Sequence, residues 1–250
     1  MTYVVGHRGA SAHRPENTMP SFGLAIEQGA DAIELDVHRT SDGELAVIHD
    51  ATLERTTDLT GAVAEMPMDA VRAADAGYRF QTDDGAFPYS GQGLRVPTLP
   101  EVLDWLPDGT GLVVELKSRD AADATVAALR DSLVAQSGLA MVISFDEQAI
   151  DHVRDLDATL PTGLLLVPYD QVERGLSWAV EHRHQAVYPW DGDLGLDPMP
   201  LIAQAAAYGL RLGCYVVNEP QRMQQLEATG LWAFVTDVPD VARAALGRAG

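Results

Sequence analysis

Short apolar runs alternate with longer amphipathic stretches along the whole 250-residue chain. Nine runs read as strands: Tyr3–Gly6, Ala32–Val37, Leu45–His49, Gly111–Lys117, Ala140–Phe145, Thr162–Val167, Gln185–Pro189, Leu210–Val217 and Ala233–Thr236. Between most of them the apolar spacing is helical. Ala121 to Gln136 sets Ala124, Ala127, Ala128 and Leu133 near one face, and Pro200 to Gly209 has the proline start and glycine stop of a helix. Such alternation predicts a parallel α/β fold. One gap breaks the rhythm. Only seven residues, Ser41-Asp42-Gly43 among them, separate Val37 from Leu45, whereas a parallel crossover takes about a dozen. That pair must form an antiparallel hairpin. Removing its return strand leaves eight parallel strands, the count of a (β/α)8 TIM barrel. An open doubly wound sheet is the alternative, because strand order is not written in one sequence.

Residues 51–100 fit neither pattern. Gly61, Gly77, Gly85, Gly91 and Gly93 alternate with Pro67, Pro88, Pro97 and the aromatics Tyr78, Phe80, Phe87 and Tyr89, leaving room for one short helix near Met68–Ala74. Long irregular loops in compact domains commonly serve binding. The expected organisation is one barrel domain over 1–250, with 51–100 as an insertion or lid after the second strand and its hairpin. A purely structural excursion is the alternative.

The formal net charge is −20, which opposes non-specific binding to nucleic acid or to an anionic membrane surface. No apolar run approaches the roughly 18 residues of a membrane span. Cys214 has no partner for an intramolecular disulfide, and Met1–His7 lacks the basic and apolar regions of a signal peptide. The expectation is a cytoplasmic protein acting on a small molecule.

Active sites of parallel barrels lie at the C-terminal ends of the strands, so polar residues there are informative. The first strand runs into His7-Arg8-Gly9, the second carries Glu34-Leu35-Asp36, and the next parallel strand ends Glu115-Leu116-Lys117. Residues i and i+2 of a strand share a face. Glu34 with Asp36, and Glu115 with Lys117, therefore point into the barrel, while Leu35 and Leu116 point to the helices. Three buried carboxylates are costly unless paired or bound to a cation. An all-oxygen set suits Mg²⁺ or Ca²⁺; a structural ion-pair network is the competing reading. A hairpin turning at Ser41–Gly43 pairs position 36 with about 48, which brings His49 beside Asp36, and His7 faces the same mouth. Imidazoles on either flank suit general acid and base work. Arg8 and Lys117, the only lysine in the chain, suit an anion such as phosphate. His152, His182 and His184 read as solvated helix-end residues, His13 has no evident task, and Cys214 and the four tryptophans read as packing.

Taken together, His7-Arg8-Gly9, Pro15-Glu16-Asn17-Thr18, Glu34-Leu35-Asp36-Val37, His49-Asp50, Pro97-Thr98-Leu99-Pro100-Glu101, Glu115-Leu116-Lys117, Ser144-Phe145 and Thr236-Asp237-Val238-Pro239 resemble the glycerophosphodiester phosphodiesterase family over nearly the whole chain. The resemblance implies a distorted TIM barrel and hydrolysis of glycerophosphodiesters, glycerophosphocholine and glycerophosphoethanolamine among them, to sn-glycerol 3-phosphate and an alcohol. It implies one divalent ion, Mg²⁺ or Ca²⁺ with Mn²⁺ as a substitute, on Glu34, Asp36 and Glu115. His7 and His49 would be the acid–base pair, Arg8 and Lys117 would bind phosphate, and the substrate's own hydroxyl would attack to give a cyclic phosphate. It leaves room for a homodimer. Where relatives often carry Trp-Thr-Val-Asn, this chain has Tyr215-Val216-Val217-Asn218, so Tyr215 is the expected substrate-side aromatic. A phospholipase-like diesterase and a non-catalytic barrel binding an anionic metabolite are the rival readings.

Overall fold

The computed structural model of the chain describes residues 1–248. The short gap after the second strand does produce a hairpin. β1 is Tyr3–Gly6, β2 is Ala32–Arg39 and β3 is Leu45–Val47; β2 and β3 run antiparallel, with Val37 opposite Val47 and His38 opposite Ala46. The remaining strands are β4 Gly111–Leu116, β5 Ala140–Ser144, β6 Thr162–Leu165, β7 Ala186–Tyr188, β8 Arg211–Cys214 and β9 Ala233–Thr236. They order as β1-β9-β8-β7-β6-β5-β4-β2-β3, and β1 also pairs with β2. Every pairing except β2–β3 is parallel. The result is a closed eight-stranded TIM barrel with one strand hung on its rim. The doubly wound alternative falls, because a doubly wound sheet has two open edges.

The helices lie outside. They are α1 Met19–Glu27, α2 Met68–Arg72, α3 Leu99–Trp105, α4 Ala122–Arg130, α5 Leu133–Gln136, α6 Glu147–Leu156, α7 Val172–Glu181, α8 Met199–Ala207, α9 Pro220–Thr229 and α10 Pro239–Ala245. Strand alternation divides the core in two. Ile33, Leu35, Val37, Leu112, Val114 and Leu116 face outward onto Phe22, Ala25, Leu99 and Val126. Val5, Ala32, Val113, Met141, Ile143, Ala186, Tyr188, Ala233 and Val235 fill the barrel. Each large side chain so buried stabilises the fold by about 1.5–3 kcal/mol. Tyr188 is the largest fully buried one, and its ring needs the gap left by Gly213, where a Cβ would fall 2.5 Å from the ring. Apolar residues thus fill the lower barrel and leave only its upper end to polar groups.

Two expectations need correction. The stretch from Ala121 to Gln136 is not one helix: the chain breaks at Asp131, and Ser132 caps α5 by accepting from the Ala135 amide. The buried row is Ala122, Thr125, Val126 and Leu129, at i, i+3, i+4 and i+7. Leu133 lies beyond the break and is 70% exposed. His184 is not solvated but buried, held under Trp178 at the lower end of the barrel.

Between β3 and α3 the chain makes an excursion with its own apolar cluster. Leu53, Val63, Met68, Val71 and Val96 pack there on Ala46 and Ile48 of the hairpin. The helix anticipated near Met68–Ala74 is α2. The barrel resumes inside the expected insertion boundary, because the Thr98–Glu101 pair forms a capping box at the start of α3.

Candidate active site

Parallel register puts the polar residues at one height. Asp36 is paired with Glu115 across β2–β4, and Glu34 lies one inward position below Asp36. Glu34, Asp36 and Glu115 are all buried, and one oxygen of each lies within 4.8 Å of the other two. Burial first, and then the charges of Asp36 and Glu115, push Glu34 well above the usual carboxylate range. Burial and Asp36 raise Glu115 to about 7, against the pull of Lys117. Asp36 stays low despite its burial, because Arg8, Lys117 and His49 favour its ionised form and Asn17 hydrogen-bonds to it. Asp36 Oδ1 is buried without a hydrogen bond.

These features decide whether a cation fits. The oxygens are crowded, two of the three groups resist ionisation, and one buried oxygen of Asp36 is without a hydrogen bond. An all-oxygen set of this kind could hold a hard divalent ion. The competing ion-pair reading is only partly met. Lys117 Nζ donates to Glu115 at 2.6 Å but stands 3.5 Å from Asp36 Oδ1, and Arg8 Nε lies 3.2 Å from Asp36 Oδ2. Glu34 accepts only from the Arg8 backbone amide among the described contacts, at 2.9 Å.

His7 and His49 open onto this end, and each is oriented by an aspartate. His7 Nδ1 lies 2.6 Å from Asp237 Oδ1. Asp237 also accepts from Ser11 and Asn218. Burial opposes ionisation of Asp237, but His7, Asn218 and Ser11 together hold it at about 2. His49 Nδ1 lies 2.6 Å from Asp50 Oδ1, and Arg55 grips both Asp50 and Glu16. Asp50 is likewise held at about 2, by Arg55 and His49 against desolvation. With Nδ1 donating to a carboxylate, Nε2 of each ring is left as the atom able to exchange a proton. Burial, with help from Arg8 and Lys117, lowers the His49 pKa against the opposing charge of Asp36.

Local backbone geometry makes the first loop possible. Arg8 and Asn17 adopt positive φ, at 53° and 56°. Gly9, at φ +88°, passes so close to Ser21 that a Cβ would sit 2.5 Å from its backbone carbon. The loop therefore folds tightly enough for the Arg8 amide to reach Glu34 and for Asn17 to reach Asp36. Arg8 Nη1 is committed to Glu16 at 2.9 Å. Tyr215 does stand at the mouth. Its hydroxyl donates to the Leu166 carbonyl at 2.5 Å, and its ring meets Phe145 edge-on at 5.8 Å.

All eight residues read from the sequence thus gather at the upper end. Reasoning from sequence gave no role to Asp50, Asp237, Asn17, Glu16, Arg55 or His38. His38 Nε2 contacts the His49 carbonyl at 3.0 Å and is buried; continuing the β2 alternation past Asp36 was the signal that would have found it.

The glycerophosphoryl diester phosphodiesterase family model matches residues 7–241. The chain belongs to that family. Glycerophosphodiester phosphodiesterase activity goes with membership. A Bacillus subtilis glycerophosphodiester phosphodiesterase is 31% identical over 254 residues, covering 95% of this chain and 84% of its own length. One from Caldanaerobacter subterraneus is 29% identical, with coverage of 96% and 95%. The crystal structure of the Agrobacterium tumefaciens enzyme superposes with a TM-score of 0.82 at 29% identity, covering 98% of this chain and all (100%) of that one. An Oleispira antarctica phosphodiesterase, solved with its product sn-glycerol-3-phosphate, shares the fold at a TM-score of 0.85 and 23% identity, covering 99% and 97%. No helix among the described residues is long and apolar enough to cross a membrane.

Proposed function

We propose that the upper end of the barrel hydrolyses glycerophosphodiesters, glycerophosphocholine and glycerophosphoethanolamine among them, to sn-glycerol 3-phosphate and an alcohol by histidine acid–base catalysis. The observation that carries this reading is the pair of aspartate-oriented imidazoles beside three crowded, buried carboxylates. Glu34, Asp36 and Glu115 would hold one divalent ion, Mg²⁺ or Ca²⁺. When bound, it would neutralise charge on the phosphoryl oxygens and polarise the phosphorus towards attack.

The side chains would share the remaining work. Lys117 would approach the phosphate as a point charge and Arg8 through the edge of its guanidinium not committed to Glu16, lowering the cost of the extra charge in the transition state. His49, kept neutral by burial and cationic neighbours, suits removal of a proton from the glycerol hydroxyl adjacent to the phosphate. That oxygen would close on phosphorus while the other histidine protonates the departing alcohol; water would then open the cyclic phosphate with the proton roles reversed. Asp237 and Asp50 would each stabilise the imidazolium formed beside it. The apolar faces of Tyr215 and Phe145 would line the glycerol side.

Residues 51–100, within one catalytic domain, would wall the site rather than merely decorate it, because Arg55 of this segment holds the aspartate that orients His49. The test is a turnover screen across diester headgroups with enzymatic detection of sn-glycerol 3-phosphate. Wild type should release it, and His7→Ala and His49→Ala should lose roughly 10²–10⁴-fold in kcat with unchanged folding. Release of glycerol with a phosphorylated headgroup would reject the regiochemistry, and full activity in either variant would reject the histidine roles.

A further inference from the structure

At the opposite end of the barrel, two imidazoles and a carboxylate converge. His184 lies just before β7, His182 caps the C-terminus of α7, and Asp151 belongs to α6. Asp151 Oδ1 stands 3.1 Å from His184 Nε2, and its two oxygens stand 3.0 and 2.9 Å from His182 Nδ1. The three donor atoms lie within 4.8 Å of one another. The side chain of His184 is wholly buried, while His182 and Asp151 keep 35% of theirs in solvent. Both rings lie nearly parallel to the Trp178 indole, with centroids 4.3 and 4.9 Å away. Their orientations are therefore fixed by packing before any ligand arrives.

The far side of His184 is also arranged. Thr162 Oγ1 lies 2.7 Å from His184 Nδ1 and 3.3 Å from Gln185 Oε1. A hydroxyl donates one proton. If it goes to Gln185, Thr162 must accept from His184 Nδ1–H, and the Nε2 lone pair then faces Asp151. A lone pair against a carboxylate is repulsive unless a cation sits between them. In that tautomer the far side of His184 has the outer-shell pattern of a metal-ligating histidine, which donates its other ring N–H to a fixed acceptor.

We propose that Asp151, His182 and His184 form a second metal site, selective for a borderline divalent ion with Zn²⁺ as its best occupant, and separate from the carboxylate cluster at the upper end. Two imidazole nitrogens and one carboxylate match zinc's preferences, with a fourth position open to water on the exposed side. Mg²⁺ and Ca²⁺, which seek oxygen, are poor occupants. Tetrahedral bonds near 2.0–2.1 Å set ligand atoms about 3.3 Å apart, so Asp151 needs to separate only slightly from each histidine, now 2.9–3.1 Å away. The ion would tie α6, α7 and the entry to β7 together. At the N-terminal end of a barrel such a tie serves stability rather than chemistry.

The test uses intact wild type, His182→Ala and Asp151→Asn, each stripped with EDTA and desalted. His182→Ala removes a partly exposed ring, and Asp151→Asn preserves shape, so both should fold. After equilibration with Zn²⁺ and gel filtration, wild type should retain one more equivalent than either variant. Its Tm should rise by roughly 5–10 °C more at a hundredfold excess over Kd. Co²⁺ should give wild type a visible absorption band that His182→Ala lacks, and diesterase turnover with Mg²⁺ should be the same in both. Equal Zn²⁺ retention and equal thermal shifts in all three proteins would overturn the proposal. So would a Co²⁺ band that survives His182→Ala.

Discussion

Asp237 contributes no proton to the reaction proposed here, yet replacing it should cripple turnover. Its Oδ1 stands 2.6 Å from His7 Nδ1, and its other contacts to Ser11 and Asn218 fix its rotamer. Asp237→Asn keeps the shape and removes the charge. If the amide NH2 turns to His7, the ring must carry its proton on Nε2 and can no longer accept one there. If the amide oxygen turns instead, the tautomer survives, but the imidazolium loses its counter-charge. A hydrogen bond to a charged partner contributes about 1.5–3 kcal/mol, and spent in the transition state this amounts to roughly 10–150-fold in kcat. Because His7 meets the proton rather than the bulk of the substrate, KM should move little. Steady-state kinetics of wild type, Asp237→Asn and His7→Ala on one diester measure this, with Tm recorded for each. A kcat within threefold of wild type for Asp237→Asn, at equal stability, would refute the claim that the aspartate orients a working base or acid.

Arg55→Ala should lower kcat by about three- to tenfold, a modest loss because Arg55 is half exposed and acts on His49 only through Asp50; an unchanged kcat would detach residues 51–100 from catalysis. Gly213→Ala should reduce Tm by roughly 3–10 °C, since its Cβ would meet the Tyr188 ring at 2.5 Å and overpacking costs about 1–3 kcal/mol; thermal unfolding reads it directly. The metal-free protein should also show a pH signature. Glu115 has a folded pKa of about 7, above the ordinary 4.5, so the folded state binds the extra proton between these values and this group weakens stability as pH rises through that window. A cation on the cluster removes that penalty. The Tm of protein with Mg²⁺ minus that of protein with EDTA should therefore widen from pH 5 to pH 8, and a gap independent of pH would contradict the cluster's electrostatics.

Much of the site was legible because strand geometry converts spacing into direction. The two-residue spacing of Glu34 and Asp36, and of Glu115 and Lys117, sufficed to place four side chains inside the barrel, and the seven-residue gap before Leu45 set the hairpin register that brings His49 to Asp36. The supporting partners were hidden for a different reason. Asp237 lies 230 positions from His7, and Arg55 lies 39 from Glu16. Nothing in local periodicity encodes contacts made only when a barrel closes. The misread face of the stretch after Ala121 has the opposite cause. Its alanines suggested a helical stripe, but the larger Val126 and Leu129 have more area to bury, and α4 stops at Asp131, so that Leu133 belongs to the separate helix α5 that Ser132 caps. His184 looked solvated because it follows a helix, whereas the next strand draws it beneath Trp178.

The central claim is that the three carboxylates work by holding a cation. It is tested most directly by turnover of glycerophosphocholine in protein stripped with EDTA, desalted, and assayed before and after addition of Mg²⁺, Ca²⁺ or Mn²⁺. Activity should vanish on stripping and return with at least one of these ions, and Asp36→Asn should not be rescued by any of them. Stripped enzyme that turns over at the original rate would contradict the claim.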